Sequence, residues 1–231
     1  MPVALVLLPG LLLNRRLYAA QLEALAGAAD CLVADLTRHD TVAGLAADVL
    51  EQAPERFALA GLSMGGSVAL EIMRLAPERV LRLALLDTQA RPDTPEITAR
   101  RRPLMALAEA GGLDEVARRL LPVLLHPSRL AEPEPTGTVL QMAREIGQDA
   151  FLRQERALIA RPDRRPDLGA IACPTLVLAG REDALTPLDR QLELAHGIPD
   201  ATLVLVPGCG HLAPLERPEA VNRQLLAWLQ A

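Results

Sequence analysis

The chain has 231 residues, half of them apolar, and carries a net charge of −5 from 29 acidic and 24 basic residues. This is globular composition for one large domain, or one domain with an insert; it excludes a disordered chain and a phosphate-backbone binder, which needs a concentrated positive face. Every basic residue is arginine, which excludes lysine Schiff bases and lysine general bases.

Aromatic residues make up 2% of the chain, so leucine, valine and alanine must fill the core. Cys31, Cys173 and Cys209 are odd in number and widely spaced. They offer neither a zinc-like pair nor a disulfide framework, and a reducing, cytoplasmic setting is expected. The opening run MPVALVLLPG is broken by Pro9-Gly10 and lacks a preceding basic region, so it reads as a strand and not a signal peptide. No window holds 18 consecutive apolar residues, and no membrane span is expected.

In chain order, VALVLLP (3–9) is a continuous apolar run suited to a strand buried on both faces. Residues 15–27 have helical leucine spacing, 31–36 read as a strand, and 41–53 as a helix capped by Thr41. Residues 56–61 form a third strand, 67–77 a helix ended by a proline, and 80–87 a fourth strand. Strands alternating with helices predict a parallel sheet covered on both faces.

The pattern changes over 91–170, where helix-like pieces replace strands; 111–127 and 138–160 are the clearest, with 131–137 as a connector. Thirteen arginines and twelve acidic residues fall there, a balance that favours mutual pairing over a face for an acidic partner. The sheet pattern then resumes with strands at 174–180 and 201–208 and helices at 187–197 and 218–230.

Gly61-Leu62-Ser63-Met64-Gly65 lies between a strand-like and a helix-like run. A serine hydroxyl needs an exposed, fixed position and an adjacent base to act as a nucleophile. A tight strand-to-helix turn supplies the position, with Gly61 and Gly65 allowing close backbone approach. The Met64 N–H, at the helix start, suits an oxyanion. Leu11 N–H, in the turn after the first strand, is the candidate for a second donor. Ser67, one turn further along, reads as a packing residue.

For the base, His211 stands in the loop after the last strand, where the carboxyl edge of a parallel sheet opens into a crevice. His39 occupies a comparable loop after the second strand and is the runner-up. His126 could line a pocket, and His196 suits the cationic end of a helix. For the acid, Asp183 follows the strand at 174–180, with Glu182 beside it as a solvent-facing residue. Asp87 also ends a strand and reads as a brace for its own loop or for the base. The order Ser63, Asp183, His211 is the one this sheet architecture imposes.

Gly10, GLSMG at 61–65, GREDALTP at 180–187 and GCGHLAPLERPE at 208–219 together resemble the α/β-hydrolase superfamily. The likeness is greatest to its small capped esterases, such as pimeloyl-carrier methyl ester esterases and enol-lactone hydrolases. The resemblance implies Ser63 as nucleophile, Asp183 and His211 as its acid and base, and Leu11 and Met64 as oxyanion donors. It implies a core sheet built from 1–88 and 169–231, with a helical cap at 89–168. This chain has Pro9-Gly10 where the family often has His-Gly, and its first strand matches the family's third. About six strands are therefore expected.

The expected activity is hydrolysis of a small-molecule ester, free or carrier-linked, with a small or medium apolar group. No cofactor, metal or nucleic acid is expected. Thioester, lactone and carbon–carbon hydrolysis use the same triad and stay open, as does a non-catalytic ligand- or partner-binding scaffold.

Overall fold

The computed structural model describes residues 2–230. Six strands form one parallel sheet in the order β2-β1-β3-β4-β5-β6: β1 Val3–Leu8, β2 Ala29–Val33, β3 Phe57–Leu62, β4 Val80–Leu86, β5 Thr175–Gly180 and β6 Ala201–Val206. The expected strand count is met. Parallel pairing requires every connection to cross back over the sheet, so every strand delivers its carboxyl end to the same edge.

Side chains along a strand alternate between faces, and the core divides accordingly. Val6, Leu8, Leu59, Leu83, Leu85 and Val177 join one buried cluster, whereas Leu5, Leu7, Ala58, Ala60, Ala84 and Leu178 join the other. On the first face lie α2 (Val42–Gln52), α3 (Met64–Leu75) and α8 (Leu188–Gly197); on the second lie α1 (Ala19–Leu25), the short α9 (Ala213–Glu216) and α10 (Pro218–Gln230). Both faces being covered explains why the inner strands β1, β3 and β5 read as near-continuous apolar runs. The few aromatic side chains are placed deep: Tyr18, Phe57 and Phe151 are fully buried.

The strand expected at 31–36 begins two residues earlier. Ala29 and Asp30 pair with Val3 and Ala4, and the chain leaves the ladder after Ala34 N–H bonds Leu7 O. Thr41 caps α2 as expected, its Oγ1 accepting from Gly44 N at 3.1 Å. The helix expected at 15–27 opens as a 3-10 turn over Arg15–Tyr18, with Asn14 as cap, before α1 begins.

Between β4 and β5 the chain makes four helices: α4 Pro95–Glu109, α5 Leu113–Leu124, α6 Pro133–Ile146 and α7 Gln148–Ile159. The helix expected at 138–160 is two helices, broken at Gly147 with φ 81°. The connector expected at 131–137 is largely the first turn of α6, where Pro133 stands in the position that needs no N–H partner. Pro122 lies inside α5 near its end. These helices share a third apolar cluster built on Ala108, Val116, Ala117, Ala143, Phe151 and Leu152, joined by Leu12 from the loop after β1. No helix among the described residues is long and apolar enough to cross a membrane.

Candidate active site

Six connections leave the carboxyl edge of the sheet, one after each strand. β3 passes directly into α3 through Ser63, which has φ 54° and ψ −114°. Positive φ is costly for a residue bearing a Cβ and marks a position the surroundings enforce. Here the enforcement is visible. Ser63 N–H donates to Leu86 O at 3.0 Å, and its carbonyl accepts from Gly66 N, Ser67 N and the Thr88 hydroxyl, the last at 2.7 Å. A Cβ on Gly61 would lie 2.3 Å from Gly65 O, and one on Gly65 would lie 2.2 Å from Leu8 O. Strand, helix and the neighbouring β1 therefore approach to a distance only glycine permits.

The turn projects the Ser63 hydroxyl toward the loop after β6. His211 Nε2 stands 2.8 Å from Ser63 Oγ, and His211 Nδ1 stands 2.8 Å from Asp183 Oδ2. The imidazole is 1% exposed and Asp183 is 4% exposed. Asp183 Oδ1 accepts from Leu185 N at 2.8 Å and Thr186 N at 3.1 Å, and its Oδ2 accepts from the Thr186 hydroxyl. Burial alone would raise its pKa, but the His211 ring and the Thr186 donors outweigh it and hold the carboxyl below its ordinary range.

The loop carrying His211 is held at almost every backbone donor. Cys209 N donates to Glu182 Oε2 at 3.0 Å, Gly210 N to Glu216 Oε1 at 2.9 Å, His211 N to Leu124 O at 3.0 Å, and Ala213 N to Asp87 Oδ2 at 3.3 Å. Glu216 Oε2 also accepts from His126 N at 2.7 Å, which ties the end of α5 to this loop. Glu182 is thus not merely solvent-facing, since its carboxylate holds the histidine loop. Asp87 braces Gly180 N and Ala213 N across the sheet edge, not its own loop. It is fully buried, and burial with Asp183 and Glu216 nearby pushes its pKa well above the carboxylate range.

The other histidines lie apart from the serine. His39 pairs with Asp48 on α2 at 3.1 Å. The His126 ring contacts Ser128 at 2.8 Å. His196 occupies the last turn of α8. Ser67 is buried within α3. Cys209 is buried next to His211, where burial raises its thiol pKa and keeps it an inert thiol.

The turn after β1 lies directly against the serine: a Cβ on Gly10 would be 3.2 Å from Ser63 Cβ. Leu11 directly follows Gly10 in this turn, and Met64 directly follows Ser63 as the first residue of α3. Among these residues no three His, Cys, Asp or Glu side chains gather as a metal site. Residues that sequence reasoning missed are Thr88, Thr186, Glu216 and Gln154. Of these only Thr88 left a trace, because Gly66, the third glycine at the turn, leaves room for it: a Cβ there would meet Thr88 Oγ1 at 2.3 Å.

Residues 5–224 match the alpha/beta hydrolase family, and the chain belongs to it. A 2-hydroxy-6-oxononadienedioate/2-hydroxy-6-oxononatrienedioate hydrolase of Paraburkholderia phymatum is 32% identical over 88% of this chain and 73% of its own length. A pimeloyl-[acyl-carrier protein] methyl ester esterase of Nitrosomonas europaea is 28% identical over 88% of this chain and 81% of its own. The solved structure of a thermophilic esterase from Thermogutta terrifontis superposes with a TM-score of 0.93 at 31% identity, covering 100% of this chain and 90% of that one. The chain spans 45% of one longer curated relative. A hydrolase is therefore the activity class, and the early resemblance to esterases of this family is met by named relatives.

Proposed function

We propose that this hydrolase cleaves carboxylic esters with a small or medium-length, largely apolar acyl or alkyl group, using Ser63, His211 and Asp183 through an acyl-enzyme. The observation that carries the reading is the continuous relay from Asp183 Oδ2 through the His211 ring to Ser63 Oγ, with 2.8 Å at both joints. His211 Nε2 takes the Ser63 proton as Oγ attacks the carbonyl carbon. The negative charge that develops on the carbonyl oxygen is met by Leu11 N–H and Met64 N–H, each worth about 3 kcal/mol in the transition state. His211 then protonates the departing alkoxide. A water, deprotonated by the same nitrogen, attacks the acyl carbon and releases the acid. Asp183 holds Nδ1 protonated and stabilises the imidazolium throughout.

An apolar substrate is supported by what surrounds the turn at Gly10–Leu13. Leu11 and Leu12 pack with Leu104, Met105, Val116 and Leu120 from the helices between β4 and β5. We read 89–168 as a cap that contributes this lining. The two esterase relatives support the ester bond as the target. A second reading, carbon–carbon hydrolysis of a 2-hydroxy-6-oxo dienoate, is supported by the hydrolase relative at 32% identity. Three free cysteines fit a reducing, cytoplasmic setting.

The test is a hydrolysis panel of p-nitrophenyl esters of increasing acyl length, methyl esters, thioesters and a 2-hydroxy-6-oxo dienoate, run with wild type and Ser63→Ala. The expected result is turnover of short to medium esters, abolished by Ser63→Ala, with covalent labelling of Ser63 by a fluorophosphonate. Ester turnover that survives Ser63→Ala would end this reading. Turnover of the dienoate alone would move it to carbon–carbon cleavage.

A further inference from the structure

Leu11 N–H belongs to a four-residue turn, Gly10 to Leu13, closed by Leu13 N–H donating to Gly10 O at 3.2 Å. Its third residue, Leu12, has φ 59°. That position of such a turn ordinarily holds glycine, because a Cβ is strained there. Two things hold Leu12 in place. Its side chain is 4% exposed, buried in the cluster of the helices between β4 and β5. Its N–H donates to Gln154 Oε1 at 3.0 Å.

Gln154 lies on α7 and is 1% exposed. Its Nε2 donates to Leu36 O at 3.0 Å, in the loop after β2. The neighbouring Arg153 Nε donates to Thr37 O at 2.7 Å. One side chain thus satisfies a donor from the β1 loop and an acceptor from the β2 loop, 142 and 118 residues away in sequence. With both bonds made in a buried site, removing either leaves a peptide group unpaired. No side chain of the β1 loop itself performs this task, since position 9 is proline and positions 10–13 are glycine and leucines.

We propose that Gln154 is a positioning residue for ester hydrolysis: from α7 it holds the Gly10–Leu13 turn in its strained form and so fixes Leu11 N–H as an oxyanion donor. The inference rests on the serine-hydrolase reading above. Gln154 touches neither the serine nor the substrate. It acts through the turn, and it makes the helices between β4 and β5 part of the catalytic frame. A donor displaced by even part of an ångström loses much of its value, because it is aimed at charge present only in the transition state.

The test is Gln154→Met, which keeps length and loses both bonds, and Gln154→Glu, whose protonated carboxyl restores both and whose carboxylate cannot donate to Leu36 O. For Gln154→Met the expected result is a kcat lowered about 10- to 100-fold with KM within about twofold. Affinity for a trifluoromethyl ketone, which forms the oxyanion on Ser63, should fall by the same factor, while affinity for the product acid should not. For Gln154→Glu, activity relative to wild type should fall as pH rises and the carboxyl loses its proton. If Gln154→Met folds with wild-type kcat and ketone affinity, the inference is wrong. If it does not fold, a flat relative pH profile for Gln154→Glu overturns it instead. Failure of the serine reading shows separately, as activity in Ser63→Ala.

Discussion

Replacing Gly65 by alanine tests how the turn at Ser63 and the proposed oxyanion donors depend on one close approach. The added Cβ would lie 2.2 Å from Leu8 O, 2.6 Å from Leu8 C and 2.8 Å from Pro9 O, whereas ordinary contact begins at 3.4 Å. The obstacle is backbone, so no side chain can swing aside. Leu8 O cannot simply retreat either, because the buried Tyr18 hydroxyl donates to it at 2.9 Å. β1 and α3 must therefore part by about 1 Å, the gap between the built contact and an ordinary one. Leu11 follows Leu8 and Pro9 on one side of that gap, and Met64 precedes Gly65 on the other. Overpacking of this kind costs about 1–3 kcal/mol, a fall of roughly 2–12 °C in Tm for a chain of this size. Separating the two donors by that distance should lower kcat about 100-fold. Thermal unfolding and steady-state hydrolysis of a p-nitrophenyl ester read the two effects separately. A Gly65→Ala protein that melts within about 1 °C of wild type and keeps most of its kcat would refute the packing argument.

Asp183→Asn leaves the shape of the site intact but presents an amide to His211 Nδ1, favouring the wrong tautomer; kcat should fall by about 10⁴ at neutral pH with little change in KM. In the native protein the depressed Asp183 pKa adds stability that is present above the unfolded carboxyl pKa and is lost as pH falls through the lower folded value. Asp87 has the opposite sign: its raised pKa means the unfolded chain gives up the proton first, so stability declines as pH climbs above about 4, the unfolded value. Asp87→Asn should flatten that decline in urea titrations at several pH values, and an unchanged slope would count against it. Arg101 donates to Asp93 at 2.6 Å and to Glu155 at 2.8 Å, both carboxylates being buried. Arg101→Met leaves Glu155 without its partner and Asp93 with only Arg161, 2.8 Å away, and should cost about 3–5 kcal/mol in denaturant unfolding.

The sheet was legible because both faces are covered, which turns each inner strand into a near-continuous apolar run ended by glycine, proline or aspartate. Its edge was less so. Asp30 is exposed on β2 yet pairs with Ala4, and a carboxylate at the start of a strand breaks the apolar signal. The helices between β4 and β5 blurred for a different reason. Pro133 and Pro135 look like a linker, but proline is favourable in a helix's first turn, where no N–H partner is needed. Gly147 looks tolerable within a helical pattern; only its positive φ reveals the break.

The candidate site shows what spacing can and cannot assign. Asp87, Glu182, Asp183 and Glu216 all stand near the histidine loop; in sequence Asp183 reads as the acid, Asp87 as a brace and Glu182 as solvent-facing, and Glu216 carries no signal. What separates them is where their oxygens are used. Asp87 gives both to Gly180 N and Ala213 N, Glu216 gives both to Gly210 N and His126 N, and Glu182 holds Cys209 N. Asp183 alone among them has one oxygen anchored by backbone amides, at Leu185 and Thr186, and the other turned to the imidazole. The donors that make these choices are backbone N–H groups, which every residue but proline carries. A sequence therefore locates the loops that reach the site and, through residue order, favours Asp183 for His211, while the bonds by which the other three carboxylates hold the loops around it are made by register, which appears only when the strands are paired.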